Sequence, residues 1–152
     1  MTRTPASGFT RWVLAAALLP LLMAGCTINY YNNYPAPADA ANPLVLVKDG
    51  RVSVSAEPLY FSQKDGAVTI TWRLPAGGPY SFANDGIVID SATGDAKQAA
   101  ATREEFQCRK VSPTEFACLN RNSRPGDYKY TVRVNEGSKA LKPLDPRIAN
   151  EW

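Results

Sequence analysis

The chain has 152 residues with 17 Lys and Arg against 14 Asp and Glu, and it contains no histidine. A chain of this length builds one domain with an adequate core. It has no block of Lys and Arg of the kind that marks a nucleic-acid surface, and without histidine it has no Ser-His or Cys-His nucleophile pair, so we predict neither nucleic-acid binding nor an enzyme.

The first segment, residues 1–25, has the features of an export signal. Arg3 and Arg11 precede an apolar run from Trp12 to Met23, which is 12 residues long and contains Pro20. A membrane-spanning helix needs about 20 apolar residues. A basic start, a short apolar centre and small residues before the cut are typical of a cleaved leader. We therefore predict a signal peptide over residues 1–25.

The end of this leader, Leu22 to Cys26, reads LMAGC. It resembles the lipobox of bacterial lipoproteins, with Met23 where that family usually has Leu. The resemblance implies a lipid on the thiol of Cys26, cleavage before it, and attachment to a membrane. Thr27, in place of Asp, implies the outer membrane of a Gram-negative cell, with the domain facing the periplasm or, alternatively, the cell surface. The other interpretation is an ordinary cleaved signal with a chance cysteine.

The segment after Cys26 mixes Asn, Ala and Pro without sustained apolar alternation. We predict a lipidated Cys26 and flexible linker over residues 26–42, followed by a folded domain over residues 43–152. A flexible chain of 16 residues spans about 20–25 Å. The domain would then stay close to its membrane.

The domain begins with a hairpin signal. Asp49-Gly50 separates two valine-rich runs, and Asp-Gly suits a type I′ turn, which needs positive φ at both central residues. This turn places Val47 opposite Val52 and Val45 opposite Val54. The four valines then share one face.

The next clear strand spans residues 67–74. Val68, Ile70, Trp72 and Leu74 alternate with polar residues, which predicts a sheet with one buried face and makes Trp72 a core residue. A Pro- and Gly-rich loop over residues 75–79 follows.

Beyond that loop come Tyr80 and Phe82, and then a short buried strand predicted over Gly86 to Asp90. Tyr80 and Phe82 are candidate ligand contacts, since their rings could stack on a glycan or small molecule beside the loop. A binding module of this kind is the second functional hypothesis.

Residues 91–103 have helical tendency but no apolar stripe, so we predict a long loop or a single helical turn. A hairpin follows, with a turn around Pro113. Its register sets Cys108 opposite Cys118, and Lys110 opposite Phe116, at a distance that suits a disulfide. Lipidation of Cys26 leaves these two cysteines as a pair in an oxidising compartment. A redox-catalytic pair is the alternative, but nine residues separate the cysteines.

The last part of the chain predicts one long strand and an edge strand. Pro125-Gly126 suits the central positions of a type II turn. Tyr128, Tyr130, Val132 and Val134 then alternate inward, and Gly137 ends the strand. Residues 147–149 predict an edge strand.

About seven short strands with regularly spaced turns predict an all-β, single antiparallel sandwich. Trp72 and the entry of the late strand at Gly126 to Tyr130 resemble the immunoglobulin-like class. The cysteines depart from that class, because they lie within one hairpin. The domain also resembles uncharacterised exported bacterial proteins, a resemblance that implies no activity.

The residues that could carry chemistry are carboxylates, and none matches a known site. Glu104 and Glu105 would point to opposite faces of a strand. Asp85, Asp90 and Asp95 flank glycines and could bind calcium, but their spacing is not that of an EF-hand, so turns explain them better. We predict no cofactor and no metal. The leading hypothesis is a lipid-anchored structural or protein-interaction accessory of the envelope, which offers a sheet edge to another chain.

Overall fold

The computed structural model describes residues 39–91 and 96–152. The predicted signal peptide, Cys26 and most of the predicted linker lie outside these residues. The elements, in chain order, are β1 (Val45–Lys48), β2 (Arg51–Val54), β3 (Leu59–Ser62), a 3₁₀ turn (Gln63–Asp65), β4 (Val68–Arg73), β5 (Tyr80–Ser91), α1 (Ala96–Glu105), β6 (Phe106–Ser112), β7 (Glu115–Asn120), β8 (Gly126–Glu136), β9 (Lys139–Ala140) and β10 (Arg147–Glu151). No helix in the described ranges has the length and apolarity to cross a membrane.

The strands form two packed sheets and a hairpin. The larger sheet has the order β3-β10-β8-β5, with β9 also paired to β8, and the smaller sheet has the order β4-β7-β6. Among the described residues, β1 and β2 pair only with each other. All pairs between strands are antiparallel except β3 with β10, which is parallel. The predicted all-β sandwich is thus confirmed as an architecture.

Aromatic pairs join the two sheets through the core. Trp72 of the small sheet packs on Tyr130 of the large one, with ring centroids 5.3 Å apart. The pairs Phe82 with Phe116 and Phe106 with Tyr128 do the same, at 5.9 Å and 4.8 Å. Tilted and edge-to-face pairs of this kind stabilise a core beyond the area they bury. Trp72 is therefore a core residue, as its alternation predicted.

The predicted register of the first hairpin is confirmed. Val45 pairs with Val54 and Val47 with Val52. The two turn residues, Asp49 and Gly50, have φ values of 53° and 71°, as a type I′ turn requires. The hairpin buries its valine face and so adds to the sandwich core.

β5 is longer than the predicted strand over residues 86–90. It begins at Tyr80 and contains a bulge, since Phe82 pairs with Val134 and Ile87 with Val132. A Cβ on Gly86 would lie 2.8 Å from the Cβ of Phe82, so the bulge requires glycine there. The polar residues between Phe82 and Ile87 interrupt the alternation of buried and exposed side chains. The first half of β5 therefore has no clear strand pattern in the sequence.

The prediction of a loop or single helical turn over residues 91–103 was wrong, because α1 is a helix of 10 residues. Alanine-rich sequence favours a helix. The apolar stripe is missing because α1 is fixed partly by polar side chains. Thr102 and Glu105 are both buried, and they lie three residues apart on one face of the helix.

Two predictions near the C-terminus are corrected. Gly126 does not occupy a type II turn, because it begins β8 and pairs with Asn150. In the loop between β7 and β8, the residue with a positive φ is Asn122, at 50°. β10 covers the predicted strand at residues 147–149 but lies between β3 and β8 instead of at an edge. Parallel pairing with the early strand β3 gives no local sequence signal.

Candidate functional site

The two edges of the small sheet differ in how their backbone groups are paired. At the β4 edge, the Thr71 N–H donates to the Ala41 carbonyl at 2.8 Å and the Arg73 N–H donates to the Pro43 carbonyl at 3.2 Å. Leu44 continues this contact as a parallel bridge to Arg73. The segment over residues 39–44 thus closes the β4 edge. Part of the predicted linker, residues 39–42, therefore contacts the domain.

The directions of these bonds fix which β6 groups face outward. Thr71 points away from β7, so its pairing partner Ala117 directs its own N–H and carbonyl toward β6. Ala117 pairs there with Arg109, and the neighbouring pair is Cys108 with Cys118. Backbone groups alternate direction along a strand. Cys108 and Lys110 therefore point their N–H and carbonyl groups to the free side of β6.

The disulfide geometry agrees with this assignment. Cys108 and Cys118 are bonded, and their Cα atoms are 3.9 Å apart. Directly opposed residues approach most closely at pairs that do not exchange backbone hydrogen bonds. The predicted disulfide, and the predicted register of Lys110 with Phe116, are confirmed.

β6 is an open edge over a short stretch. Within the described ranges it pairs only with β7, and no backbone hydrogen bond joins the N–H of Cys108 or Lys110 to another element. α1 packs beside the beginning of β6, and Val111 is the extra residue of a bulge near its end. Val111 is 50% exposed. The open stretch is therefore about residues 108–111.

A recess of about 180 Å³ lies beside this stretch. It occupies the seam between β5 and β6, under the end of α1. Its lining consists of Ile87, Val88, Ile89, Thr102, Arg103, Phe106 and Cys108. Cys108 is exposed at this seam, whereas Cys118 is 0% exposed. The disulfide thus has one sulfur-bearing residue at the surface and one in the core.

The cations near the open edge lack carboxylate partners. Four arginines elsewhere in the domain form ion pairs with carboxylates, namely Arg73 with Glu115, Arg124 with Glu104, Arg133 with Asp85 and Arg147 with Asp127, whereas Arg51 and Arg121 form none among the described residues. In the part of the chain that the structure describes, neither Arg103 nor Arg109 forms such a pair. Lys110 donates instead to the Phe82 carbonyl at 2.7 Å. The edge is therefore locally basic.

A buried polar cluster fixes the C-terminal end of α1. Glu105 is 2% exposed, and its carboxylate accepts from both the N–H and the hydroxyl of Ser123, each at 2.6 Å. The Asn150 amide donates to the same carboxylate at 3.5 Å and also bonds Asn120 across the two sheets. Buried charge is tolerated when it is hydrogen-bonded in this way. The cluster therefore holds the helix, the loop after β7 and both sheets together.

A cleft of about 440 Å³ lies between α1 and the start of β8. Its lining includes Gln98, Thr102 and Tyr128. Its two charged lining residues, Arg124 and Asp127, already pair with Glu104 and Arg147. Both charged side chains among the described lining residues are therefore already paired.

Two tyrosines of the described core have raised pKa values. Burial raises the pKa of Tyr130 far above its usual range, and burial, with Glu105 nearby, raises the pKa of Tyr128. Both phenols are therefore neutral at physiological pH. Among residues 39–91 and 96–152, no three His, Cys, Asp or Glu side chains cluster as metal ligands.

The structure separates the two predicted ligand contacts. Phe82 is 1% exposed and packs on Phe116, so its ring cannot stack on a ligand without leaving the core. Tyr80 is partly buried against the same core. This placement counts against the stacking site proposed from their sequence positions.

The remaining candidate residues have structural contacts or lie outside the described ranges. Asp85 pairs with Arg133 at 3.2 Å within the β5 bulge, and Asp95 lies outside the described residues. Glu104 and Glu105 are not on a strand, since both belong to the last turn of α1. The contacts of Glu105 leave no local signal in the sequence, because its partners are residues 123 and 150.

Comparisons with known proteins leave the family open. No protein-family model matches the chain, and no curated protein is significantly similar to it.

Proposed function

We propose that this protein is a non-enzymatic, lipid-anchored envelope protein that binds another envelope protein through the open β6 edge. A lipid on Cys26 would hold it at the periplasmic face of the outer membrane. The leader and the LMAGC sequence support the anchor. The open β6 edge of the small sheet supports the binding role; among the described residues, β3 and β5 are the edge strands of the larger sheet.

The observation that carries the binding role is the contrast between the closed β4 edge and the open β6 edge. Exposed edges attract other strands, and proteins commonly cover them. This domain covers β4 with its own chain yet leaves the N–H groups of Cys108 and Lys110 facing outward. Strand addition uses such groups for affinity and the neighbouring pockets for specificity.

Membrane attachment would assist this binding. A lipid with several acyl chains holds a protein stably at a membrane. Confinement to the surface raises the effective concentration of the domain for a partner in the same membrane. A weak edge contact of a few backbone hydrogen bonds would then suffice.

The binding role is tested by isolating the lipidated protein from membranes of its native host after cross-linking. Lys110→Pro removes the outward N–H, whereas Lys110→Ala keeps it. Both variants lose the contact of the lysine side chain with Phe82. We expect a stoichiometric partner with the wild type and with Lys110→Ala, and loss of that partner with Lys110→Pro. Equal recovery with both variants would rule out the β6 edge.

The anchor is tested on the same material. Mass spectrometry of the mature N-terminus should find Cys26 as the first residue, carrying a diacylglycerol on sulfur and an acyl chain on the amine. An unmodified Cys26 would refute the lipid anchor without affecting the edge.

A further inference from the structure

We infer that the β6 edge binds an extended segment of a partner protein in which aliphatic and acidic side chains alternate. This inference rests on the proposed function, because it names the chemistry of the partner at the same site. Three features carry it: the outward backbone groups, the recess on the inner side of the edge, and the unpaired arginines around it.

The backbone groups set the length and shape of the segment. Cys108 and Lys110 lie two residues apart on β6, about 7 Å along a strand. Their N–H and carbonyl groups can pair with about three to five residues of an added strand. α1 and the Val111 bulge limit the edge at its two ends, so a longer segment would gain few further hydrogen bonds.

The recess sets the side chain on the inner face. Residues of an added strand project to the same face as the β6 residues opposite them. A residue opposite Cys108 would therefore point into the seam between β5 and β6, where the recess of about 180 Å³ lies. Ile87, Ile89 and Phe106 make much of its wall apolar. An aliphatic side chain fits this position.

The cations set the side chains around it. Arg109 lies on the outer face of β6, opposite to the face of Cys108. Arg103 lines the recess from α1. Neither has a carboxylate partner among the described residues, whereas four arginines elsewhere do. In a segment with Asp or Glu beside the aliphatic residue, the acidic side chain would project to the outer face and pair with Arg109.

The same charges disfavour a second copy of this chain as the occupant. Edge-to-edge pairing of two β6 strands would bring two copies of Arg103, Arg109 and Lys110 to one short edge. Like charges on adjacent strands repel, and cations at edges commonly prevent self-association. The geometry therefore favours an acidic partner over self-association.

The test uses the folded mature protein and a synthetic heptapeptide of alternating Glu and Val with blocked ends. We expect saturable binding at low ionic strength, with the largest NMR amide shifts at residues 107–111. A peptide of alternating Lys and Val should bind at least about tenfold more weakly. An N-methylated Glu and Val peptide, which cannot pair as a strand, should also lose binding.

A matched pair of charge reversals sharpens the test. Arg109→Glu should weaken binding of the Glu and Val peptide about tenfold, because it turns an attraction into a repulsion. Lys139→Glu changes the net charge equally but lies on β9 of the other sheet, and should leave binding within about twofold. Equal effects of the two variants would show nonspecific attraction and overturn the inference.

The outcomes separate the inference from the proposed function. A cellular partner that is lost with Lys110→Pro but kept with Arg109→Glu would uphold the edge and refute the acidic segment. Binding of the Lys and Val peptide as tight as that of the Glu and Val peptide would also refute it. Shifts at residues 107–111 that appear with rising protein concentration alone would point to a second copy and overturn the inference.

Discussion

The β4 and β6 edges belong to the same three-stranded sheet, yet only the β4 edge has its outward backbone groups bonded to another described segment of the chain. Residues 39–44 lie along β4 and accept its outward N–H groups. Nothing in the described ranges does so for residues 108–111 of β6. The difference shows that this domain can close an edge with a short extended segment. The open edge is where a segment of another protein can do the same.

The side chains near the two edges follow the same contrast. Arg73, at the closed edge, bonds Glu115 at 3.3 Å and the Asn42 amide oxygen at 2.9 Å. Arg109, at the open edge, has no carboxylate partner in the described part of the chain. The arginine at the closed β4 edge is therefore bonded within the domain, whereas Arg109 at the open β6 edge is available to a carboxylate of a partner.

The largest expected effect comes from Glu105, which fixes the helix beside the open edge. Glu105→Ala should lower the free energy of unfolding by about 3–5 kcal/mol, because it removes the buried carboxylate that accepts two short hydrogen bonds from Ser123, and a hydrogen bond to a charged group contributes about 1.5–3 kcal/mol. Urea unfolding measures the change. Glu104→Ala, at an exposed ion pair, is the control and should cost less than about 1 kcal/mol. Equal losses of stability in the two variants would contradict the claim that the buried Glu105 carboxylate fixes α1 to the rest of the domain.

The next effect tests the closed edge. Thr71→Pro removes the N–H that donates to Ala41, leaves that carbonyl unpaired and places a ring against residues 39–44. We expect a loss of about 3 kcal/mol in the free energy of unfolding. Thermal denaturation followed by circular dichroism measures it. A loss below about 1 kcal/mol would show that the cover contributes little.

Removal of the disulfide tests how β6 is held in place without a second neighbour. Cys108→Ala combined with Cys118→Ala should cost about 2–3 kcal/mol, because the bond closes a short loop in the unfolded chain. Reduction of the wild-type protein should shift the unfolding midpoint in the same direction. Unchanged stability on both tests would mean that pairing with β7 alone fixes the edge strand.

The same substitution at the open edge should be far milder. Lys110→Pro removes an N–H without a backbone partner in the described structure, so we expect a loss below about 1 kcal/mol, of which Lys110→Ala reports the side-chain part. Urea unfolding of both variants beside Thr71→Pro gives the comparison directly. A loss for Lys110→Pro as large as that of Thr71→Pro would mean that β6 is not an open edge.

The smallest expected effect is a pH dependence of the contact between residues 39–44 and the β4 edge. A hydrogen bond from the Asn42 side chain, followed by one from the Ala41 N–H, lowers the pKa of Asp39 below 3.8. A lowered carboxylate pKa stabilises the fold above its unfolded value, and that contribution is lost as pH falls through the folded value. The protection of the Thr71 amide against exchange, relative to an unfolded reference at the same pH, should therefore fall below about pH 3.8. Asp39→Asn should remove the dependence, and an unaltered profile would contradict it.

Local patterns in the sequence predicted the elements that local rules control. The Asp49-Gly50 turn set the register of the first hairpin, and alternation set the buried face around Trp72. Cysteine pairing and the turn at Pro113 set the register of β6 with β7. In each case the turn and the side-chain period pointed to the same arrangement.

Long-range contacts explain what the sequence did not predict. α1 has no apolar stripe because Glu105 bonds residues 18 and 45 positions away. β10 lies inside its sheet because it pairs with the early strand β3. The open edge itself was expected only in general terms, because which edge stays open depends on where residues 39–44 fold back.

Amide hydrogen exchange along β6 tests the central claim most directly. In the isolated domain, we predict that the amides of Cys108 and Lys110 exchange rapidly, while those of Gln107 and Arg109, which face β7, are protected by at least about a hundredfold. Alternation of protection along one strand is the direct sign of one paired side and one open side. Equal protection of all four amides, or the opposite alternation, would contradict the claim that β6 offers a free edge.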